Sequence, residues 1–300
     1  MQAFGNAFYA PCTCGELFQG TLDGEPCLIS CPVDVWSVAR LAVSPSVRQS
    51  NQRKVAQALT GLPRPLPHNV HVVLRDPLPP GRGYGTSTAD IGAALYAAAD
   101  FLRISLNPQE AAKIAVMVEP TDSSLFEKLT LFAHRSGAFY IELGMVDAHV
   151  VILDAGGTVD TETFNAQDWR PQLRKLAADH VQALELIRSG LSNHDLAAVG
   201  EASSMSARLH QSILFNPLLP LAEKLGREMG ASGVVRAHSG TLVGLLFAPE
   251  RYDGASLRRH LRHRLPRDVM LRFTRLVSGG VRKMSPEILP SGARECQPEP

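Results

Sequence analysis

The sequence contains no stretch that predicts a membrane span. Such a helix needs roughly 18 consecutive apolar residues, and no run approaches that length although hydrophobic residues make up 45% of the 300 residues. Residues 1–5 show no basic region followed by an apolar core, which a secretory signal would need. We therefore expect a cytoplasmic protein without a membrane partner.

A charge imbalance is also lacking. The chain has 30 Lys and Arg residues against 29 Asp and Glu residues, a formal net charge of +1. This balance gives no electrostatic reason to expect a nucleic acid or an acidic surface as a partner. The basic stretch at 258–267 has no interleaved aromatic residues for base stacking. We interpret it as the solvated face of a helix and expect no nucleic-acid partner.

Cysteine is scarce and odd in number, with five residues in the chain. An odd count without a secretory signal indicates reduced thiols. Cys12, Cys14, Cys27 and Cys31 could form a four-ligand zinc site, but neither pair has the two-residue gap typical of zinc knuckles. We favour the simpler interpretation that they are small buried residues on neighbouring strands.

The length and the residue pattern predict two regions and a tail. Three hundred residues suffice for one large or two medium domains. Two glycines at 156–157 and the polar stretch after them suggest a boundary, with an N-terminal domain at 1–157 and a C-terminal domain at 158–284. Residues 285–300 are rich in proline and charge, which predicts a disordered tail.

The secondary-structure pattern mixes strands and helices. Residues 5–43 are typical of strands, with a hairpin turn at Asp23 and Gly24. The hydrophobic periodicity of the remainder is typical of an α+β fold. It predicts strands at 70–75, 138–141, 150–153, 233–236 and 269–277, and helices at 87–102, 107–118, 169–189, 193–211, 217–229 and 254–263.

The strongest chemical signal is a glycine-rich loop at 77–90, between the predicted strand at 70–75 and the helix at 87–102. Three alternating glycines precede three hydroxyl residues. Glycine lets the backbone approach an anion closely, and the unpaired N–H groups of a first helical turn point at it. The hydroxyls can cap that turn or contact a phosphate or its metal. This pattern indicates a nucleotide-using enzyme.

The loop differs from the two commonest phosphate loops. No Gly-Lys-Ser or Gly-Lys-Thr follows the glycines, which excludes a Walker loop, and the third glycine of a dinucleotide fingerprint would fall at Thr86 or Thr88. A simpler alternative is an ordinary turn in which Ser87 is the N-cap and Asp90 closes a capping box. A cap and an anion site can coexist, because they use the same donors.

At this loop the chain resembles the GHMP kinases, the superfamily of galactokinase, homoserine kinase and mevalonate kinase. Tyr84 stands where that family has Leu. Three further stretches occur in the family's order, and we call them the first motif (11–20), the second motif (119–126) and the third motif (236–240). They look more narrowly like the L-threonine kinases of cobalamin biosynthesis. Together the four motifs span roughly residues 5 to 250.

The resemblance implies an α+β fold with an N-terminal domain like ribosomal protein S5 domain 2, a ferredoxin-like C-terminal domain and a site between them. It implies an ATP-dependent kinase that phosphorylates the side-chain hydroxyl of L-threonine to L-threonine O-3-phosphate for cobalamin biosynthesis. Homoserine, serine or an amino alcohol as the acceptor stays open, as does a non-catalytic binding protein of the same fold. A homodimer also stays open.

The resemblance and the residue chemistry together select the site residues. The ATP phosphates are expected at Pro80, Gly81, Gly83, Tyr84, Gly85, Thr86, Ser87 and Thr88. Mg²⁺ prefers a few protein oxygens beside phosphate and water, and Ser87 with Glu119 fits that preference. Asp122 is the candidate that takes or orients the proton of the acceptor hydroxyl. The alternatives are that Glu119 merely ends a helix on the surface and that Asp122 is a turn residue or an N-cap.

The acceptor substrate is expected at Glu16, Arg236, His238, Ser239 and Gly240. A carboxylate at Glu16 could bind the ammonium of an amino acid, and an arginine beside a histidine could contact a carboxylate or a phosphate. The simpler alternatives are an edge-strand surface charge for Glu16 and an ordinary loop histidine for His238. No lysine stands just upstream of the first motif, so Arg236 or Arg82 is the expected source of positive charge.

Overall fold

A computed structural model describes residues 2–43, 53–75 and 78–284. Within these ranges the strands are β1 (Gln2–Leu22), β2 (Glu25–Val43), β3 (Val70–Arg75), β4 (Leu129–Phe132), β5 (Tyr140–Gly144), β6 (His149–Asp154), β7 (Gly233–Arg236), β8 (Val243–Phe247), β9 (Met270–Arg275) and β10 (Arg282–Met284). The α-helices are α1 (Arg53–Leu59), α2 (Thr86–Leu102), α3 (Pro108–Val116), α4 (Thr161–Ala166), α5 (Arg170–Lys175), α6 (Ala177–Ser192), α7 (Leu196–Leu209), α8 (Leu219–Glu228) and α9 (Gly254–Arg264). The tail prediction for 285–300 lies outside the described residues.

The first two strands form one long antiparallel hairpin. Asp23 and Gly24 both have positive φ, 51° and 82°, which is the turn geometry that matches the twist of a tight hairpin. The hairpin predicted from these two residues is confirmed. The register of β1 against β2 shifts between Thr13 and Glu16 and again before Phe18. Such bulges bend a strand and redirect its side chains, and Glu16 also pairs with β7.

The ten strands in the described part of the chain form one antiparallel sheet. Its order is β5-β4-β2-β1-β7-β8-β6-β9, with β3 pairing to β2 and β10 to β1. The strand β6 precedes residue 157 but pairs with β8 and β9, which follow it. The sheet is therefore continuous across the boundary predicted at 157, and the division at 1–157 and 158–284 stays a prediction.

The main hydrophobic core lies between this sheet and the helices. Cys12, Cys14, Cys27 and Cys31 are buried in that core and form no disulfide, as the interpretation of small buried strand residues predicts. A second apolar cluster joins β8 to α8 and α9. Of the helices that the structure describes, none is both long enough and apolar enough to cross a membrane.

Several predicted elements differ in the structure. The helix predicted at 169–189 is interrupted at Leu176, where φ −95° and ψ 3° leave helical geometry. Its second part, α6, continues through Gly190, although the helix was predicted to end at 189. Gly190 has no side chain, which allows close packing on Val199: a Cβ would lie 2.9 Å from that residue. The next helix begins after Asp195, whose side chain accepts hydrogen bonds from two backbone N–H groups.

Local signals located several of the remaining elements. The helix predicted to begin at 107 is α3, where Asn107 is the N-cap and forms a capping box with Glu110. The prediction missed β4, a strand of four buried residues, because an apolar run that short does not distinguish a strand from a helix. It also missed α4, which lies in the stretch interpreted as a polar boundary.

Candidate active site

The glycine-rich loop delivers the chain into α2 without a side-chain cap. Gly85 is the N-cap in left-handed geometry, φ 62°, and within the described residues no side chain caps that turn. The alternative in which Ser87 and Asp90 form a capping box is therefore wrong. Ser87 lies inside the helix and donates a hydrogen bond to Glu119, while the Asp90 carboxylate accepts one from Ser37. Both side chains therefore bind residues that are distant in the sequence, and neither caps the helix.

The backbone of the loop is fastened to the first motif. The Thr13 N–H donates to the Tyr84 carbonyl at 2.7 Å, and the Gly15 N–H donates to the Gly83 carbonyl at 3.1 Å. These bonds use carbonyl oxygens of the loop. Its glycines keep the backbone unobstructed, which suits a loop whose N–H groups bind an anion.

The third motif packs against the same loop so closely that only glycine fits. Gly83 has φ 100°, and a Cβ there would lie 2.0 Å from the Ala237 Cβ. A Cβ on Gly240 would lie 2.3 Å from the Arg82 carbonyl oxygen. The first and third motifs thus both contact the glycine-rich loop, and Gly240 is required for the close contact of the third motif.

Ser87 and Glu119 form the pair expected to bind a metal. The Ser87 hydroxyl donates to Glu119 Oε1, and Lys54 Nζ lies 2.6 Å from Glu119 Oε2. The Glu119 side chain is only 14% exposed, so the alternative of a free surface carboxylate does not describe it. A hydroxyl and a carboxylate that already attracts a cation, beside a phosphate loop, fit the oxygen donors that Mg²⁺ prefers.

Asp122 lies next to the phosphate loop in a crowded acidic setting. Its backbone N–H donates to Thr88 Oγ1 at 3.1 Å, and Ser30 Oγ lies 3.4 Å from Asp122 Oδ1. Burial, followed by the nearby charges of Glu16 and Glu119, raises the pKa of Asp122 to about 8. Asp122 occupies an N-cap position, but in the described part of the chain its side chain makes no capping bond.

Glu16 is buried in β1 and bound to the third motif. Its Oε2 accepts hydrogen bonds from the backbone N–H and from Nδ1 of His238, both at 2.9 Å. It is 7% exposed, so the edge-strand surface charge is excluded. Burial raises the pKa of Glu16 to about 7, against the lowering effects of the His238 backbone bond and of Arg236. His238 is itself buried, and burial holds its pKa well below the usual range.

Arg236 is fully buried behind this pair. Its guanidinium donates to Gln211 Oε1 at 2.8 Å and to the Ala237 carbonyl at 3.1 Å. Burial lowers its pKa to about 10. This placement makes Arg236 a support for the third motif.

A cavity of about 420 Å³ opens beside these groups. Of the predicted substrate and catalytic residues, Glu16, Asp122 and Ser239 line it. In the described part of the chain, its lining does not include Arg236 or His238. The structure therefore places carboxylates of the first and second motifs and a hydroxyl of the third around one space.

Comparisons with known proteins agree with this architecture. A family model described as the GHMP kinases N terminal domain matches residues 52–126. An L-threonine kinase of Salmonella typhimurium (strain LT2) is 31% identical over 287 residues, covering 91% of this chain and 93% of that protein. The chain belongs to the GHMP kinases. An L-threonine kinase of Citrobacter freundii is also 31% identical, over 255 residues that cover 81% of this chain and 86% of that protein.

The fold of this GHMP kinase agrees with a solved structure as well. A homoserine kinase from Cytophaga hutchinsonii superposes with a TM-score of 0.68 at 14% identity, covering 95% of this chain and 99% of that chain. This likeness shows the shared fold, and the predicted GHMP kinase fold of the α+β class is confirmed. The prediction of an ATP-dependent kinase is likewise confirmed by the family.

Sequence reasoning missed several residues of this GHMP kinase site. Lys54 reaches Glu119 from α1, whereas a lysine was sought only near the first motif. Arg135 and Arg170 line the cavity, together with His134 and Trp169. No local pattern marks these residues, since each is an ordinary polar or aromatic side chain that the fold brings to the cavity.

Proposed function

We propose that this GHMP kinase transfers the γ-phosphoryl group of ATP to the side-chain hydroxyl of L-threonine, forming L-threonine O-3-phosphate and ADP. The observation that carries the proposal is the match of nearly the whole chain to curated L-threonine kinases. The cavity supports it, because groups suited to both ends of an amino acid line a space beside the phosphate loop. We also propose that the product serves cobalamin biosynthesis, as the motif resemblance implies.

The charges of the cavity suit an α-amino acid. Glu16 and Asp122 supply carboxylates, while Arg135 and Arg170 supply guanidinium groups on the same lining. A guanidinium matches a carboxylate with paired hydrogen bonds, and a carboxylate matches an ammonium group. We assign the substrate ammonium to Glu16 and the substrate carboxylate to the two arginines. Arg170 at present pairs with Asp168, at 2.7 Å between Nε and Oδ1.

The other end of the site suits the triphosphate. The first turn of α2 presents backbone N–H groups behind a loop of three glycines, which favours phosphate oxygens. Ser87 and Glu119 would hold Mg²⁺, which when bound supplies positive charge that stabilises the phosphates during transfer. Lys54 adds a cation at Glu119, 2.6 Å from its carboxylate.

Asp122 is the group we assign to the hydroxyl proton. As the threonine oxygen forms its bond to the γ-phosphorus and ADP leaves, the hydroxyl proton passes to the Asp122 carboxylate. A carboxylate with a pKa of about 8 holds such a proton well near neutral pH. The contact of Asp122 with Thr88 and its place in the cavity lining support this assignment.

The experiment that tests the function measures ADP release from ATP and Mg²⁺ with a panel of acceptors. The panel contains L-threonine, L-serine, L-homoserine, D-threonine and aminopropanol, and Glu119→Gln provides the background. We expect selective turnover of L-threonine, with an O-phosphorylated product identified by phosphorus NMR.

Each alternative has its own outcome in that panel. Selective turnover of homoserine, serine or the amino alcohol would keep the kinase and reject L-threonine as the substrate. ATP binding without turnover of any acceptor would favour a non-catalytic binding protein.

A further inference from the structure

Asp154 is a buried carboxylate that contacts the phosphate loop, and it has no role in the proposed chemistry. It ends β6 and is 2% exposed. Its Oδ2 accepts hydrogen bonds from Arg82 Nη1 at 2.9 Å and from the Tyr84 hydroxyl at 3.0 Å. Its Oδ1 accepts one from the Gly156 N–H at 2.9 Å. Both oxygens are therefore bound to the loop or to the segment that follows β6.

The two side chains that reach Asp154 alternate with the three glycines of the loop. Gly81, Gly83 and Gly85 all have positive φ, at 74°, 100° and 62°. A backbone of alternating glycines has many accessible conformations. Hydrogen bonds from Thr13 and Gly15 restrain its carbonyl groups, and the side chains of Arg82 and Tyr84 add a second restraint. The hydrogen bonds of Arg82 and Tyr84 to one buried carboxylate restrain two alternate residues of the loop.

The ionisation and burial of Asp154, Arg82 and Tyr84 favour stable hydrogen bonds among them. Burial, the Asp154 charge and the hydrogen bond to Asp154 all raise the pKa of Tyr84, which keeps its hydroxyl protonated and able to donate. A charged acceptor strengthens both bonds. The Asp154–Arg82 pair is mostly shielded, with side-chain exposures of 2% and 21%, so solvent weakens it little. Tyr84 also departs from the leucine of the wider family, which could not make this bond.

We propose that Asp154 is a positioning residue that holds the phosphate loop in its ATP-binding shape through Arg82 and Tyr84. This inference rests on the assignment of the loop to the ATP phosphates. Asp154 need not touch ATP. It acts by preventing the loop from adopting the other conformations that its glycines allow, so its removal should weaken ATP binding more than acceptor binding.

The test compares ATP affinity by titration calorimetry, without acceptor, in the unmodified protein, Asp154→Asn and Tyr84→Phe. We expect Kd for ATP to rise about tenfold or more in Asp154→Asn, because small displacements of phosphate-binding groups are costly. Tyr84→Phe should raise it about threefold to tenfold, less than Asp154→Asn, because it removes one hydrogen bond between the loop and Asp154 and leaves the Arg82 bond in place. KM for the acceptor should change less than about twofold in either variant.

A double variant separates positioning from a general loss of structure. In an Asp154→Ala background, Tyr84→Phe should have almost no further effect on Kd for ATP, because the hydroxyl has already lost its acceptor. Asp253→Asn is the control, since Asp253 also accepts two backbone N–H bonds but caps α9. It should leave Kd for ATP unchanged.

The outcomes distinguish this inference from the proposed function. If the unmodified protein has no affinity for ATP, the proposed function fails and this inference fails with it. If the unmodified protein binds ATP and Tyr84→Phe and Asp154→Asn bind it equally well, Asp154 does not position the loop. If Asp154→Asn does not fold, Tyr84→Phe alone decides by the same criterion.

Discussion

Glu16 and His238, which are 222 residues apart, are joined by two hydrogen bonds to the same carboxylate oxygen, both of 2.9 Å. Burial holds the pKa of His238 well below its usual range. Its Nδ1 also lies 3.2 Å from the Arg236 carbonyl oxygen, which can only accept, so the Nδ1–H is the donor to Glu16. This pairing fixes one carboxylate oxygen of Glu16, a residue that also lines the cavity. The first and third motifs therefore meet at one carboxylate beside the cavity.

Glu16→Gln should weaken the binding of an amino-acid acceptor. The amide keeps the shape but loses the charge that we assign to the substrate ammonium, a loss of about 1.5–3 kcal/mol for a charged hydrogen bond. KM for L-threonine should rise roughly tenfold to hundredfold, with KM for ATP within about twofold. Glu25→Gln, on the neighbouring strand β2, is the control. An unchanged KM for L-threonine would show that Glu16 does not bind the ammonium.

Glu119→Gln should reduce turnover severely while leaving the fold intact. The variant keeps a hydrogen-bond acceptor for Ser87 but loses the charge that we expect to hold Mg²⁺, and we expect kcat to fall about a hundredfold or more. The measurement is kcat across a Mg²⁺ titration, with circular dichroism to check folding. Glu110→Gln, at the capping box of α3, should retain turnover. Near-normal turnover of Glu119→Gln would reject the metal assignment.

Asp122 should impose a pH dependence on the rate. Its pKa is raised to about 8, so the ionised base becomes more abundant as pH rises from 6 toward 9. The kcat of the unmodified protein should rise through this range, and Asp122→Asn should lose about a hundredfold and lose the rise. A mild loss with the same pH profile would mean that Asp122 only aligns the hydroxyl.

Gly83→Ala should abolish ATP binding because the loop has no room for a side chain there. A Cβ would lie 2.0 Å from Ala237, and the positive φ adds strain of about 1–2 kcal/mol. Gly24→Ala is the matched control, since Gly24 has φ 82° but nothing within 4 Å of an added Cβ. It should show the strain in thermal stability alone. Equal ATP affinity in the two variants would refute the packing argument.

Local signals predicted the parts of this fold that depend on neighbouring residues. Asp23 and Gly24 specify a tight turn, and Asn107 with Glu110 specifies a helix start, because each requires only a few adjacent backbone angles. The same kind of reasoning offered an alternative at Ser87 and Asp90 that the structure excludes. Their capping box is a valid local solution, but Glu119 and Ser37 offered partners that no local pattern describes.

The sequence by itself determined the glycine-rich loop and the order of the motifs, because both depend only on the types and spacing of residues close together in the chain. Only the tertiary structure decided which side chains meet. Lys54 pairs with Glu119 across 65 residues and Tyr84 binds Asp154 across 70. Arg135 and Arg170 join one cavity lining from separate segments. Strand pairing and core packing bring these residues together, and neither periodicity nor composition records which distant residues a folded chain places in contact.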